Sequence, residues 1–280
     1  MNKLLIVDGS NLLFQMFYGM PSVIIGKNGK PIQGALGFVG ALLRIIRITR
    51  PSHVMVMFDG ECKNERKELD SDYKANRPDF SEMSEDEIPF TQLPYIFDAL
   101  GCSGIKYAET TDCETDDVIA GYVRAYGEET EIVISSFDSD FFQLISDKVS
   151  VLRYRGDNTV ICTPDYVRNK LGIEPCQYAD HKSLTGDTSD NIKGAEKVGP
   201  KTATALIQEY GDLESVIANA ENIKKPSVRA SILASTERLR LNYRLIKLSG
   251  CACLPFCIDE LQYIPKGISS TDVLRRIGLI

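Results

Sequence analysis

Residues 131–140 read EIVISSFDSD, a short apolar run that gives way at once to two aspartates, Asp138 and Asp140. A run of this length, rich in β-branched residues and bounded by charge, predicts a buried strand. The same pattern recurs at residues 4–8, LLIVD, ending in Asp8, and at residues 54–59, VMVMFD, ending in Asp59. A helix is expected over 35–47, where Phe38, Val39, Leu42, Leu43, Ile45 and Ile46 recur at helical spacing before Pro51. A second is expected over 91–100, stopping at Gly101. A third starts at Glu114, with acids in the turn where the helix dipole favours them. Residues 149–163, VSVLRYRGDNTVICT, read as a hairpin, and Thr163 followed by Pro164 as a helix start. Buried strands alternating with helices make the fold class α/β, with a central, mostly parallel sheet.

In such sheets the ligand site lies beyond the carboxyl ends of the strands, so Asp8, Asp59, Asp138 and Asp140 should converge on one crevice. The turn Glu114-Thr115-Asp116-Asp117 opens a helix and places Glu114 and Asp117 on one face. Asp187 and Asp190 follow in the loop GDTSDN. Each of these acids taken alone reads as well as a turn, cap or loop residue. Taken together they repel one another, by roughly 4 kcal/mol for a pair about 4 Å apart at an effective dielectric of 20. Such a cluster calls for cations, and all-oxygen donors without histidine or thiolate suit Mg²⁺ or Mn²⁺. Two such ions about 4 Å apart can activate a water and stabilise the leaving oxygen of a phosphodiester, which points to a nuclease or phosphatase.

The chain has 280 residues, 43% hydrophobic and 25% charged, as expected of one that buries a core. Its 39 acids exceed its 32 bases, a net of −7 that argues weakly against a nucleic-acid partner. With the nine clustered acids set apart, 30 remain against 32 bases, and that objection lapses. Residues 61–90 are too long and polar for an ordinary connection. In them Lys63, Arg66, Lys67, Lys74 and Arg77 interleave with Tyr73 and Phe80, a composition suited to single-strand contacts. Glu61, Glu65, Glu68, Asp70 and Asp72 leave a solvated mixed-charge helix equally open. From about residue 173 short helices and tight turns are expected, forming a second, helical unit. There GAEKVGPKTATAL, from Gly194, runs into a helix near Pro200 whose N-terminal amides, with Lys201 and Thr202, could hold a phosphate. An ordinary helix–helix connection has the same pattern. Cys251, Cys253 and Cys257 lack the fourth ligand that structural zinc prefers. The apolar run before Asp8 is too short for a signal peptide, and no stretch approaches about 20 apolar residues. A cytoplasmic protein with no membrane partner is expected.

LLIVDGSN, VMFDG, DYKANRP, ETDD, SSFDSDFFQL, LTGDTSDN and GAEKVGPKTA occur here in the order and spacing of the bacterial 5′-nucleases. Over residues 3–280 the chain resembles the 5′→3′ exonuclease domain of DNA polymerase I and its free-standing flap endonuclease relatives. The resemblance implies a PIN-like catalytic domain over 1–172 with a helical arch at about 61–90. It further implies a helix-three-turn-helix DNA-binding module over 173–250 and a C-terminal segment, 251–280, packing back on the catalytic domain. It makes Asp8, Asp59, Glu114, Asp116, Asp117, Asp138, Asp140, Asp187 and Asp190 the metal carboxylates, and Lys74 and Arg77 catalytic. Arg66, Tyr73, Lys197, Gly199, Lys201 and Thr202 would contact DNA, and Gly194, Val198 and Gly199 would frame a potassium ion. The implied activity is divalent-metal cleavage of branched or flapped DNA, or of RNA primer–DNA hybrids, by a monomer. A PIN-type ribonuclease and an inactive branched-DNA-binding protein are the alternatives. Departures are Gln15, where polymerase-linked members usually carry arginine, Lys197 where glycine is common, and Lys193 where proline is common.

Overall fold

The computed structural model describes residues 2–27, 29–60, 65–77, 80, 83–111, 113–251 and 253–280. In chain order the elements are β1 (Lys3–Asp8), α1 (Gly9–Gly19), α2 (Gln33–Thr49), β2 (His53–Phe58), α3 (Glu65–Leu69), α4 (Leu93–Ser103), β3 (Lys106–Glu109) and α5 (Thr115–Tyr126). They continue with β4 (Glu131–Ser135), β5 (Val149–Arg153), β6 (Val160–Cys162), α6 (Pro164–Leu171), α7 (Tyr178–Thr185), β7 (Gly186–Asp187) and β8 (Ile192–Lys193). The chain closes with α8 (Pro200–Tyr210), α9 (Leu213–Ala218), α10 (Pro226–Ile246) and α11 (Ser270–Arg276).

The main sheet has the order β3-β2-β1-β4-β5-β6, and all neighbours are parallel except β5 and β6. The side-chain period of two divides the core between its faces. Leu4, Ile6, Met55, Met57, Ile132 and Ile134 enter one apolar cluster; Leu5, Val7, Val54, Val56, Phe58 and Val133 enter the other. The first cluster runs without a break into the helical region through Leu184, Ala203, Ile207 and Leu239. The second lies under α1, α2 and α4 and is closed by Val273, Leu274 and Leu279 near the C-terminus. That tail is held to the sheet edge, where the Tyr263 N–H donates to the Ser52 carbonyl at 2.8 Å. This shared packing fixes the helical region against the carboxyl ends of the strands, where the aspartates stand.

The expected strands, the 149–163 hairpin and the 163–164 helix start are present; the Thr163 side chain accepts from the Tyr166 N–H. Two expectations are corrected, and one strand had not been expected. The helix placed over 91–100 continues through Gly101 to Ser103, because the residue that takes the left-handed conformation is Gly104, at φ 71°. Strand β3 carries only half-buried or exposed residues, so it lacked the apolar signature of its neighbours. The second unit is not built of short helices alone: α10 runs for 21 residues. In the polar 61–90 segment, the helix among the described residues is confined to α3 and two short 3₁₀ turns. Lys63 and Glu61 lie outside the described residues.

Candidate active site

Asp8 is the last residue of β1 and the N-cap of α1: one oxygen accepts from the Asn11 N–H at 3.0 Å, the other from the Ser136 hydroxyl at 2.8 Å. Gly9 makes that abrupt strand-to-helix turn possible, since a side chain there would meet the Phe58 ring at 2.5 Å. Ser136 also accepts from the Asp138 N–H, and Asp138 in turn accepts from the Asp140 N–H. Asp59, at the end of β2, donates its N–H to the Ser10 hydroxyl. Three strand ends are thereby tied to one another by short polar side chains.

The crowding shows in the proton affinities. Burial, then the charge of Asp59, pushes Asp8 up to about 7. Burial, then Asp138 and Asp8, raises Asp116 well above the usual carboxylate range. Asp140 is pushed up to about 7 by burial, with Lys182 opposing and Asp138 adding to it. Burial raises Asp187 too, but the Lys182 ammonium outweighs it and leaves this carboxyl below its ordinary value.

Lys182, in the last turn of α7, bridges Asp140 and Asp187, the latter at 2.6 Å. Oxygens of Asp140, Asp187 and Asp190 lie within 4.8 Å of one another. The ammonium thus stands where a cation is wanted, and its own proton is held tightly: burial opposes this, but Asp140, Tyr178 and Asp187 together prevail. Lys182→Met should lower Tm in EDTA, because two carboxylates then face each other without a counter-charge. The same change should enlarge the Tm gain given by Mg²⁺. Equal Mg²⁺ gains in both proteins would refute this placement of the ammonium.

The 65–77 segment folds down onto this cluster. Arg66 donates to Glu114 at 2.9 Å and to both oxygens of Asp117, at 2.6 and 3.1 Å, and its Nε reaches the Leu245 carbonyl at the end of α10. Asp117 also accepts from the Ser249 N–H, so both its oxygens are engaged by protein donors. The Tyr73 hydroxyl and the Lys74 ammonium donate to Glu114 at 3.3 and 3.0 Å. Lys74 takes a left-handed backbone, φ 55°, and its N–H donates to the Asp190 carbonyl. Asn76 donates to the Thr188 carbonyl, Asn191 to the Asp72 carbonyl, and Arg77 pairs with Asp190 at 3.3 Å. All nine predicted carboxylates therefore belong to one connected constellation. Arg66 and Tyr73, expected to meet DNA, are turned inward toward it.

The glycine-bounded turn expected after Gly194 lies between α7 and α8. Gly194 admits no side chain: a Cβ would stand 2.3 Å from the Thr185 carbonyl carbon. Lys197, in place of the commoner glycine, has φ 61° and is exposed, as are Gly199 and Lys201, with Thr202 half-buried beside them. Val198 is buried, and the Gly199 carbonyl accepts the first helical N–H groups of α8. His181 contacts the Pro200 carbonyl and the Thr204 hydroxyl, and Asn242 donates to the Ser183 and Lys193 carbonyls, so this turn is anchored to both α8 and α10.

Sequence reasoning missed Ser136, Asn11, Lys182 and Gln143. Gln143 donates to the Ile246 carbonyl and accepts from the Leu248 N–H, joining the sheet side to α10. Lys182 stands between His181 and Ser183, five residues ahead of Asp187, and nothing in that local pattern marks it as the partner of the acids.

Residues 3–172 match the N-terminal resolvase-like domain of the 5′-3′ exonuclease family, and residues 173–267 match its C-terminal SAM fold. The chain belongs to the 5′-3′ exonuclease family. It is 34% identical to a 5′-3′ exonuclease of Aquifex aeolicus over 89% of this chain and 82% of that one. It is 35% identical to DNA polymerase I of Rhizobium leguminosarum over 95% of this chain, which spans 26% of that polymerase. In structure the chain resembles the bacteriophage T5 flap endonuclease in a complex with DNA and metal ions, at 24% identity and a TM-score of 0.73, covering 99% of this chain and 97% of that one. The catalytic core of Rad2 in complex with DNA substrate shares the fold at 16% identity and a TM-score of 0.61, with 99% and 93% covered. No helix among the described residues is long and apolar enough to cross a membrane.

The donor set of the chain fits a hard divalent cation: oxygens only, crowded enough to hold protons near neutral pH, with an ammonium as internal counter-charge. The folded values of Asp8 and Asp140, about 7, exceed the unfolded carboxylate value of about 3.9. In metal-free protein the native state therefore binds more protons than the unfolded state across that interval. Stability is full below about 4 and falls as pH rises through 7. Metal binding must displace those protons, so the Tm gain given by Mg²⁺ should be small at pH 6 and larger at pH 8. Equal gains at both pH values would contradict the raised proton affinities.

Proposed function

We propose that this chain hydrolyses phosphodiester bonds in branched DNA close to 5′ flaps and junctions, with Mg²⁺ or Mn²⁺ held by the carboxylate constellation. The observation that carries this reading is the joining of the strand-end aspartates to Asp187 and Asp190 of the helical region in one cluster. Asp8, Asp59, Asp116 and Asp138 would form one part of the metal site and Asp140, Asp187 and Asp190 the other, while Glu114 is shared with Lys74 and Arg66. When bound, divalent ions would activate water and stabilise the leaving oxygen.

The chain's own residues do the rest. Lys74, held at the cluster by Glu114 and the Asp190 carbonyl, would neutralise charge on a phosphate. Arg77, more exposed, steers the strand. Lys197 and Lys201 present exposed charge for a duplex backbone, beside exposed Gly199 and half-buried Thr202, and the carbonyls of Gly194, Val198 and Gly199 are the potassium candidates. Residues 1–172 form the catalytic unit, with the 61–90 segment as its arch, 173–250 the DNA-binding module and 251–280 a tail packing back.

The test is cleavage of an end-labelled 5′-flap duplex in Mg²⁺, with EDTA as control. Metal-dependent products clustered at the junction support the reading. Tight flap binding with no cleavage would favour a binding protein, and cleavage of RNA alone a ribonuclease. Lys201→Ala should weaken duplex binding and reduce the salt slope by about one. An unchanged slope would remove that residue from the interface.

A further inference from the structure

A cleft of about 460 Å³ opens past the carboxyl ends of β4 and β5, between the last turn of α1 and residues 154–156. Its walls include Gln15, Met16, Met20, Phe137 and Arg155. We propose that this cleft is a one-nucleotide subsite of the substrate strand, with Arg155 on the phosphate and Phe137, Met16 and Met20 against the sugar and base. The proposal rests on the nuclease reading above and adds to it a determinant of position.

Location is the first argument. Phe137 is the residue between Ser136, which holds Asp8, and Asp138. Its N–H donates to Asn11 Oδ1 at 3.0 Å, and its carbonyl accepts from Arg153 at 2.9 Å, so its backbone is fixed between the two aspartate-bearing segments. A group seated against the Phe137 ring lies one residue from the chemistry, and the nucleotide attached to the scissile phosphate is the part of a strand that must be there.

The second argument is size and chemistry. A volume of this order accommodates a single small-molecule-sized unit rather than a duplex (about 300–1,000 Å³ is usual for such pockets). The thioethers of Met16 and Met20 and the half-buried phenyl ring offer apolar, adaptable contact surface. Met16 stands on α1 and Met20 just past its end, near Gln15, whose side-chain amide donates to the Tyr154 carbonyl at 2.6 Å and so closes the floor. Arg155 is exposed, its guanidinium stands 5.4 Å from the Phe137 ring centroid, and it forms no ion pair with any described residue. A cation beside an apolar ring, with no carboxylate on the walls, selects an anion carrying a flat apolar part. The cavity next to Arg66 differs, its walls setting Glu65, Glu114 and Asp117 against Arg66, Arg244 and Lys247, so its charges are balanced.

The experiment compares wild type, Phe137→Ala and Arg155→Gln on a 5′-flap duplex and on a series with one abasic nucleotide at each position around the cut. For wild type, one position next to the cut should raise KM about tenfold when abasic, as loss of a stacked base does. Phe137→Ala should raise KM similarly on the intact flap and show no further rise at that position, with kcat changed little. Arg155→Gln should raise KM on every substrate and reduce the salt slope by about one. Because Arg155 is exposed, its replacement tests the subsite independently of folding. KM values for both variants equal to wild type on the intact flap would overturn the subsite, as would abasic penalties that simply multiply with Phe137→Ala at every position. Failure of wild type to cut the intact flap in Mg²⁺ would instead overturn the nuclease reading, and the subsite with it.

Discussion

Asp138→Asn is expected to reduce single-turnover cleavage of a 5′ flap by about 10³-fold or more while flap binding is retained. The side chain stands just past the end of β4, its Oδ1 accepts from the Asp140 N–H, and its own N–H is held by Ser136. Asparagine keeps an acceptor oxygen of the same shape, so the turn should survive. What is lost is one negative charge from the group that also presses on Asp8 and Asp116. Weakening the hold on a divalent ion that supplies several kcal/mol of transition-state stabilisation gives a loss of this size, since each 1.36 kcal/mol is about tenfold. Relief of the same repulsion should leave the metal-free variant at least as heat-stable as wild type. A wild-type cleavage rate would sink the metal-site assignment, and a lower Tm in EDTA would contradict the electrostatic account.

Arg66→Ala should be the most destabilising single change at the site. The Arg66 side chain is 11% exposed and is the shared partner of Glu114 and Asp117, themselves 12% and 11% exposed. It also caps the end of α10 through the Leu245 carbonyl. Removing one partner of a buried charge group leaves the others uncompensated and costs about 3–5 kcal/mol. For a chain of this size that corresponds to a Tm fall of roughly 10 °C, measured by calorimetry in EDTA. Arg66→Lys should recover only part of it, because an ammonium lacks the planar fork that reaches both Asp117 oxygens. A fall of less than about 2 °C would show that the clasp contributes little to the fold.

Much of this was legible in the chain. The strands ending in Asp8 and Asp59, and the one leading into Asp138 and Asp140, announce themselves because a strand buried on both faces must be continuously apolar, and the first charge marks where it leaves the core. The helix starts at Glu114, Thr163 and Pro200 were visible because capping is local chemistry, settled within four residues. Strand β3 was not visible: it sits at the sheet edge, where burial imposes no pattern on Lys106–Glu109. The end of α4 was misplaced because two glycines, Gly101 and Gly104, can each stop a helix, and the choice fell to the left-handed turn at Gly104, followed by the N–H of buried Ile105 bonded back to Leu100.

By itself, then, the sequence determined which apolar runs are buried strands, the cap positions, and the types of donor gathered at the strand ends. Those features depend on residues close together in the chain. Only the tertiary structure decided the pairings across it. Lys182 stands between Asp140 and Asp187, Arg66 reaches Glu114, Asp117 and α10, and Arg155 lies over the Phe137 ring. A charged side chain carries no local record of its partner. Its position depends on the packing of α7 and α10 through the core shared with the sheet, and on how the chain's two halves share the cost of burying charge.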